Sequence, residues 1–220
     1  MNAKTPGQKR YIIEVKNNDI TFAFGPAGCG KTAIAVGLAL QSLLSPNSAY
    51  DKLVVLRPAK EACDEKIGFL PGDMEEKMAP WAAPIMDNMS VFIEGSAIKN
   101  LFWQKKVEII PLAYARGRSL NRSFIIVDEA QNCTAKQMLM VLTRLGEGSK
   151  MVVNGDVSQS DVRSKINGMA EAAARLDGME GVSIVELGPD DIVRHRLISE
   201  IIRRFQEPSP EDSAEEGQSA

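Results

Sequence analysis

The segment Gly25-Pro26-Ala27-Gly28-Cys29-Gly30-Lys31-Thr32 narrows the choice of folds more than any other part of this chain. An apolar run, Ile20–Phe24, precedes it, and an apolar stretch with helical periodicity follows it. Strand, glycine-rich loop and helix in that order make the Walker A pattern, with Gly25 and Gly30 at its fixed glycine positions. The glycines let the backbone turn its N–H groups inward around phosphate oxygens, and the start of the helix adds its positive end. Lys31 can then reach the β- and γ-phosphates of a nucleoside triphosphate, most simply ATP, and the Thr32 hydroxyl can ligate Mg²⁺. Gly25, Pro26, Ala27, Gly28, Cys29, Gly30, Lys31 and Thr32 are therefore all candidate nucleotide contacts.

Short apolar runs recur along the chain at Ile20–Phe24, Leu53–Leu56, Val107–Ile110, Phe124–Val127, Met151–Val153 and Ser183–Leu187. Several are apolar on successive residues, as strands are when both faces of a parallel sheet are covered. Helical candidates lie between them at about 31–44, 73–88, 134–145, 167–177 and 190–205, the last opened by Asp190–Asp191. This alternation predicts an α/β domain with a doubly wound, mainly parallel sheet. The 220 residues suffice for one such domain and its core. The stretch from 59 to 106 does not divide into simple strand–helix units and reads as an insertion over the core.

Phe124-Ile125-Ile126-Val127-Asp128-Glu129 fits Walker B. A buried strand delivers two carboxylates at its C-terminal end: Asp128 would hold Mg²⁺, and Glu129 would polarise the attacking water. The alternative is a pair of helix-capping acids. Met151–Asp156 is a similar strand ending, followed by Gln159; Asp156 or Gln159 could sense the γ-phosphate, or Asp156 could simply cap a turn. Arg194 is a candidate arginine finger, with Arg116, Arg118 and Arg144 as competitors; a surface ion pair is the plainer role for any one of them. His195 is the only histidine and cannot build a metal cluster. Gln8 carries an amide able to pair with adenine, although a surface glutamine is the default.

Net charge is −3, from 26 basic and 29 acidic residues, which does not mark a nucleic-acid binder. Five of those acids lie in residues 207–220, which hold no base, leaving 26 bases against 24 acids in the body. That Pro-, Ser- and Glu-rich tail cannot bury enough surface to offset ordering, so it is expected to be disordered. Cys29, Cys63 and Cys133 sit at no metal or redox spacing, which suits free thiols in a reducing cytoplasm. No signal-peptide core and no apolar run of membrane-spanning length is evident, so a cytoplasmic location without a membrane is expected.

Taken together, the chain resembles the PhoH family of ATPases. The resemblance rests on Gly25–Thr32, Arg57-Pro58-Ala59, Gly68–Asp73 with Glu76-Lys77, Gly117–Asn121, Phe124–Asn132, Leu142-Thr143-Arg144, Gly155-Asp156 with Gln159, and Asp191–His195. It runs from about Gln8 to Phe205. It implies a RecA-like P-loop NTPase core, like the first lobe of superfamily 1 helicases, in one domain over residues 1–206. By that likeness Gln8 recognises adenine, Asp128–Gln131 is a DEAQ box and Gln159 contacts the γ-phosphate. The family is associated with ATP hydrolysis, RNA handling and phosphate starvation, and the resemblance points to a hexamer. This sequence looks like the bare-core form that phages also carry. It departs from the pattern at Cys29, at Cys63-Asp64 and at Asn154, where Thr is more usual.

One RecA-like lobe has nothing of its own to close over the γ-phosphate. Either Arg194 acts within the chain, or a neighbour in a ring supplies an arginine. An ATPase acting on single-stranded RNA is the leading expectation. A nucleotide-dependent scaffold and a small-molecule P-loop kinase are the competing ones.

Overall fold

The computed structural model describes residues 2–58, 74–156 and 167–193. All six apolar runs become strands: β1 (Ile20–Phe24), β2 (Lys52–Arg57), β3 (Val107–Pro111), β4 (Ser123–Val127), β5 (Lys150–Gly155) and β6 (Val182–Glu186). They form one sheet in the order β3-β2-β4-β5-β1-β6, and every pairing is parallel. The helices are α1 (Pro6–Asn17), α2 (Lys31–Leu43), α3 (Met74–Ser90), α4 (Gly95–Trp103), α5 (Ala135–Leu142) and α6 (Gly168–Leu176).

Successive strand residues feed opposite layers, which is why the runs do not alternate in polarity. Leu53, Val55, Phe124, Ile126 and Val152 join the cluster under α1, α2, α3 and α4. Val54, Leu56, Ile125, Val127 and Val153 join the cluster under α5 and α6. The fold is the doubly wound α/β architecture expected. Each buried branched aliphatic side chain contributes about 1.5–3 kcal/mol relative to exposure.

The stretch read as an insertion supplies, in its described part, the two helices of the β2–β3 crossover. Their Ile85, Met89, Ile98 and Leu101 belong to the core. Residues 59–73, which include Cys63 and the Gly68–Asp73 motif, lie outside the described residues. Cys29 and Cys133 are free thiols, both buried, and burial pushes the Cys133 thiol up to about 12.

The helix expected to open at Asp190 does not begin there. Pro189–Asp191 form a single 3-10 turn, and Ile192 is extended. Asp191 caps elsewhere: its carboxylate accepts from the Thr5 hydroxyl, Gly7 N at 3.1 Å and Gly188 N at 2.9 Å. It therefore fastens the start of α1 to the segment leaving β6. Burial alone would raise this carboxyl, but the bonds from Thr5, Gly188 and Gly7 hold it below the usual aspartate range. Its stabilising contribution is thus present above the ordinary aspartate pKa and is lost as pH falls through the depressed one. Asp191→Ala should cost about 1.5–3 kcal/mol, read by urea denaturation near neutral pH. The difference between the two proteins should shrink in strong acid.

Candidate nucleotide-binding site

In a parallel sheet the loops that follow the strands gather at one end. Here β1 delivers the glycine-rich loop, β4 delivers Asp128 and Glu129, and β5, lying between them, delivers Asn154, Gly155 and Asp156. The three segments meet around a cleft of about 300 Å³ lined also by Ala27, Gly28, Gly30, Lys31 and Thr32. Ala33 of α2, Asn88 of α3 and Val193 complete its walls.

The loop needs its glycines. Gly28 and Gly30 adopt φ of 89° and 88°, the left-handed region that side-chain-bearing residues avoid. Gly30 is also the N-cap of α2 and offers no side-chain cap, so the first N–H groups of that helix have no intrahelical acceptor. The Lys31 ammonium donates to Gly25 O at 2.6 Å and Pro26 O at 3.0 Å. Ala27 N donates to the Asp156 carboxylate at 3.1 Å, so a loop donor suited to phosphate is held by an anion from the neighbouring strand end. Cys29 is fully buried, with its Sγ 3.6 Å from Lys31 Nζ.

The Thr32 hydroxyl donates to Asp128 Oδ1 at 2.7 Å, joining residues 96 apart in the chain. Asp128 is 3% exposed, and Arg57, at the end of β2, places Nε 3.4 Å from Oδ2. Burial raises the Asp128 carboxyl above its usual range, only partly offset by the Arg57 guanidinium and the Thr32 hydroxyl. A hydroxyl and a carboxylate at this spacing fit a hard divalent cation. Mg²⁺ in such sites takes one or two protein oxygens and completes its shell with phosphate and water. An all-protein cage is not required, and no cluster of three acidic, Cys or His groups occurs among the described residues.

Glu129 is solvent-exposed at the cleft and has φ of 56°, a left-handed conformation costly for a glutamate. Gln131 Nε2 donates to Glu129 Oε2 at 2.6 Å, while Gln131 Oε1 accepts from Asp156 N at 3.1 Å. Gln131 therefore ties the candidate base to the β5 strand end, which in turn touches the loop through Asp156.

Gln8 is not on the surface. It is 5% exposed beneath the loop, where Nε2 donates to Cys29 O at 3.0 Å and Oε1 accepts from Lys4 N at 2.8 Å. An adenine contact would require this amide to turn from those partners. Gln159, Arg194 and His195 lie outside the described residues. Arg116, Arg118 and Arg144 do not line the cleft; Arg118 pairs with Glu108 at 2.8 Å, and Arg144 Nη1 donates to Arg118 O.

Sequence reasoning gave no role to Arg57, Tyr11, Asn88 or Gln131 as a tether. The sequence signals for Arg57 are that it ends an apolar strand and opens Arg57-Pro58-Ala59, and neither points to Asp128. The others depend on which helix lies over which strand.

The family described as PhoH-like protein matches residues 1–206. A PhoH-like protein of Synechocystis sp. is 45% identical over 97% of this chain and 66% of its own length. One from Bacillus subtilis is 44% identical over 93% of this chain and 64% of its own. Protein PhoH of Escherichia coli is 39% identical over 92% of this chain and 57% of its own. The chain thus spans about two thirds or less of these relatives. Among solved structures, the large terminase of a thermophilic bacteriophage matches with a TM-score of 0.56 at 12% identity, over 93% of this chain and 50% of that one. The likeness is one of fold. The family match over residues 1–206, with relatives 39–45% identical over most of the chain, shows that this chain belongs to the PhoH family.

Proposed function

We propose that this chain is a magnesium-dependent ATPase whose hydrolysis is coupled to RNA binding or remodelling, in a helicase-like manner. The observation that carries the reading is the 2.7 Å contact between Thr32 and Asp128, with Glu129 beside them at the rim of the same cleft. A binding module needs the loop; it has no need of a second carboxylate presented in a strained conformation. Bound Mg²⁺, held by Thr32 and Asp128, would offset phosphate charge. Lys31 would exchange the carbonyls of Gly25 and Pro26 for phosphate oxygens, and Glu129 would accept the proton of the attacking water.

Gln159 is proposed to contact the γ-phosphate and Arg194 to act as the arginine finger, in its own chain or in a neighbour's site. A homo-oligomeric ring, hexameric by family resemblance, would supply that arginine across each interface. Residues 1–206 are proposed as one domain; the acidic stretch 207–220 lies outside the described residues. A cytoplasmic location fits; no helix among the described residues is long and apolar enough to cross a membrane.

The test is an ATPase assay on size-fractionated protein, with and without single-stranded RNA. The specific rate should rise with protein concentration, and RNA should stimulate it in a way that fades with added salt. A rate independent of concentration would remove the shared site. Turnover that requires a metabolite and yields a phosphorylated product would favour the kinase. Nucleotide binding without single-turnover hydrolysis would favour the scaffold.

A further inference from the structure

The strand end between the two Walker segments carries a donor that lacks an acceptor. Asn154 is 1% exposed and lines the cleft with Lys31, Thr32, Asp128 and Glu129. Val127 pairs with Val153 in the sheet, so Asn154 stands one row further on, beside Asp128. Its Oδ1 accepts the Tyr11 hydroxyl at 2.7 Å. Tyr11 is fully buried in α1, and burial raises its phenol well above the ordinary tyrosine value, so it remains a donor. That bond sets the direction of the amide: oxygen toward Tyr11, nitrogen away from it. The nitrogen, Nδ2, is buried and without a hydrogen-bond partner. Asn132 Oδ1 and Asn167 Nδ2 are also unpartnered, but neither residue lines the cleft.

Leaving an amide donor unpaired inside a core is costly, so an enclosed, unpartnered Nδ2 beside a nucleotide cleft is the group expected to gain an acceptor on binding. We propose that Asn154 Nδ2 donates to a terminal phosphoryl oxygen of the bound nucleoside triphosphate, and that Tyr11 is the positioning residue that aims it. The inference rests on the nucleotide reading above. Asn154 stands on β5, between the loop on one side and the Asp128–Glu129 pair on the other. A triphosphate would bring anionic oxygens into the cleft as acceptors. A neutral amide adds a directed donor without adding charge beside Lys31. Nδ2 is enclosed by its neighbours, so it meets the phosphate once the cleft's side chains shift, as Lys31 must to leave the Gly25 and Pro26 carbonyls. A diphosphate ends one phosphoryl group short of this donor. Asn154 would therefore help the site tell triphosphate from diphosphate.

The test is equilibrium binding of a non-hydrolysable β,γ-imido ATP analogue and of ADP, measured by calorimetry on wild type, Asn154→Ala, Asn154→Thr and Tyr11→Phe. Asn154→Ala should weaken the analogue by about tenfold and leave ADP unchanged. Turnover at saturating ATP should fall about 100-fold, in line with loss of one preorganised donor. Asn154→Thr, which keeps a hydroxyl donor, should recover part of both effects. Tyr11→Phe should move the analogue-to-ADP ratio in the same direction by less. An equal loss for both nucleotides, or no change for either, would overturn the proposal, because a purely structural residue does not distinguish them. A wild-type protein that binds neither nucleotide would overturn the nucleotide reading and this inference with it.

Discussion

Glu129→Gln should leave ATP bound and almost unhydrolysed, with turnover reduced by about 10²–10⁴. The substitution keeps the side chain's shape and its place at the cleft, and removes only the capacity to accept a proton. Gln131 now donates to Glu129 Oε2 at 2.6 Å, and a glutamine there still offers it an amide oxygen. The left-handed φ of 56° at this residue is a backbone property, so it should survive the change. Binding of nucleotide, measured in parallel, should stay within a few-fold of wild type because Lys31, Thr32 and Asp128 are untouched. Unchanged turnover would remove Glu129 from the role of base.

Lys31→Ala should act one step earlier and weaken ATP binding by about 100-fold or more, through loss of a charge-assisted contact to phosphate. The same ammonium also joins the carbonyls of Gly25 and Pro26, so its loss will loosen the loop as well. The two contributions separate by experiment. A loop effect appears as a lowered melting temperature of the free protein, whereas a phosphate effect appears as a lost shift on adding ATP. Normal nucleotide affinity in Lys31→Ala would contradict the assignment of the loop as a phosphate cradle.

What was readable in the sequence is what depends on near neighbours in the chain. Strand, loop and helix around Gly25–Thr32 follow from local pattern, as does the strand that ends at Asp128. Thr32 and Asp128 meet because β1 and β4 end on the same side of one parallel sheet, a property of the fold class rather than of either motif. The helix α4 escaped notice because its nine residues bury only Ile98 and Leu101, too few for a clear period. The acids at 190–191 looked like a helix start because Asp favours such positions, yet Asp191 is spent on Thr5, Gly7 and Gly188. Gln8 reads in the sequence as a candidate adenine contact with a surface position as the plainer alternative, and only the position of α1 under the loop buries it. Tyr11 and Asn154 are 143 residues apart, and no spacing rule links a helix face to the end of a strand on the far side of the chain. Gln131 reaches Asp156 through the register of β4 beside β5, which likewise has no signature in either segment alone.

The central claim is that the cleft built from Lys31, Thr32, Asp128 and Glu129 hydrolyses ATP. The most direct measurement is a single turnover with protein in excess over radiolabelled ATP, started by adding Mg²⁺ and quenched in acid at intervals, on wild type and on Glu129→Gln. The account predicts that wild type converts its bound ATP to ADP and phosphate, whereas Glu129→Gln retains intact ATP over the same period. Equal conversion by both proteins, or bound ATP left intact by wild type in the presence of Mg²⁺, would contradict it.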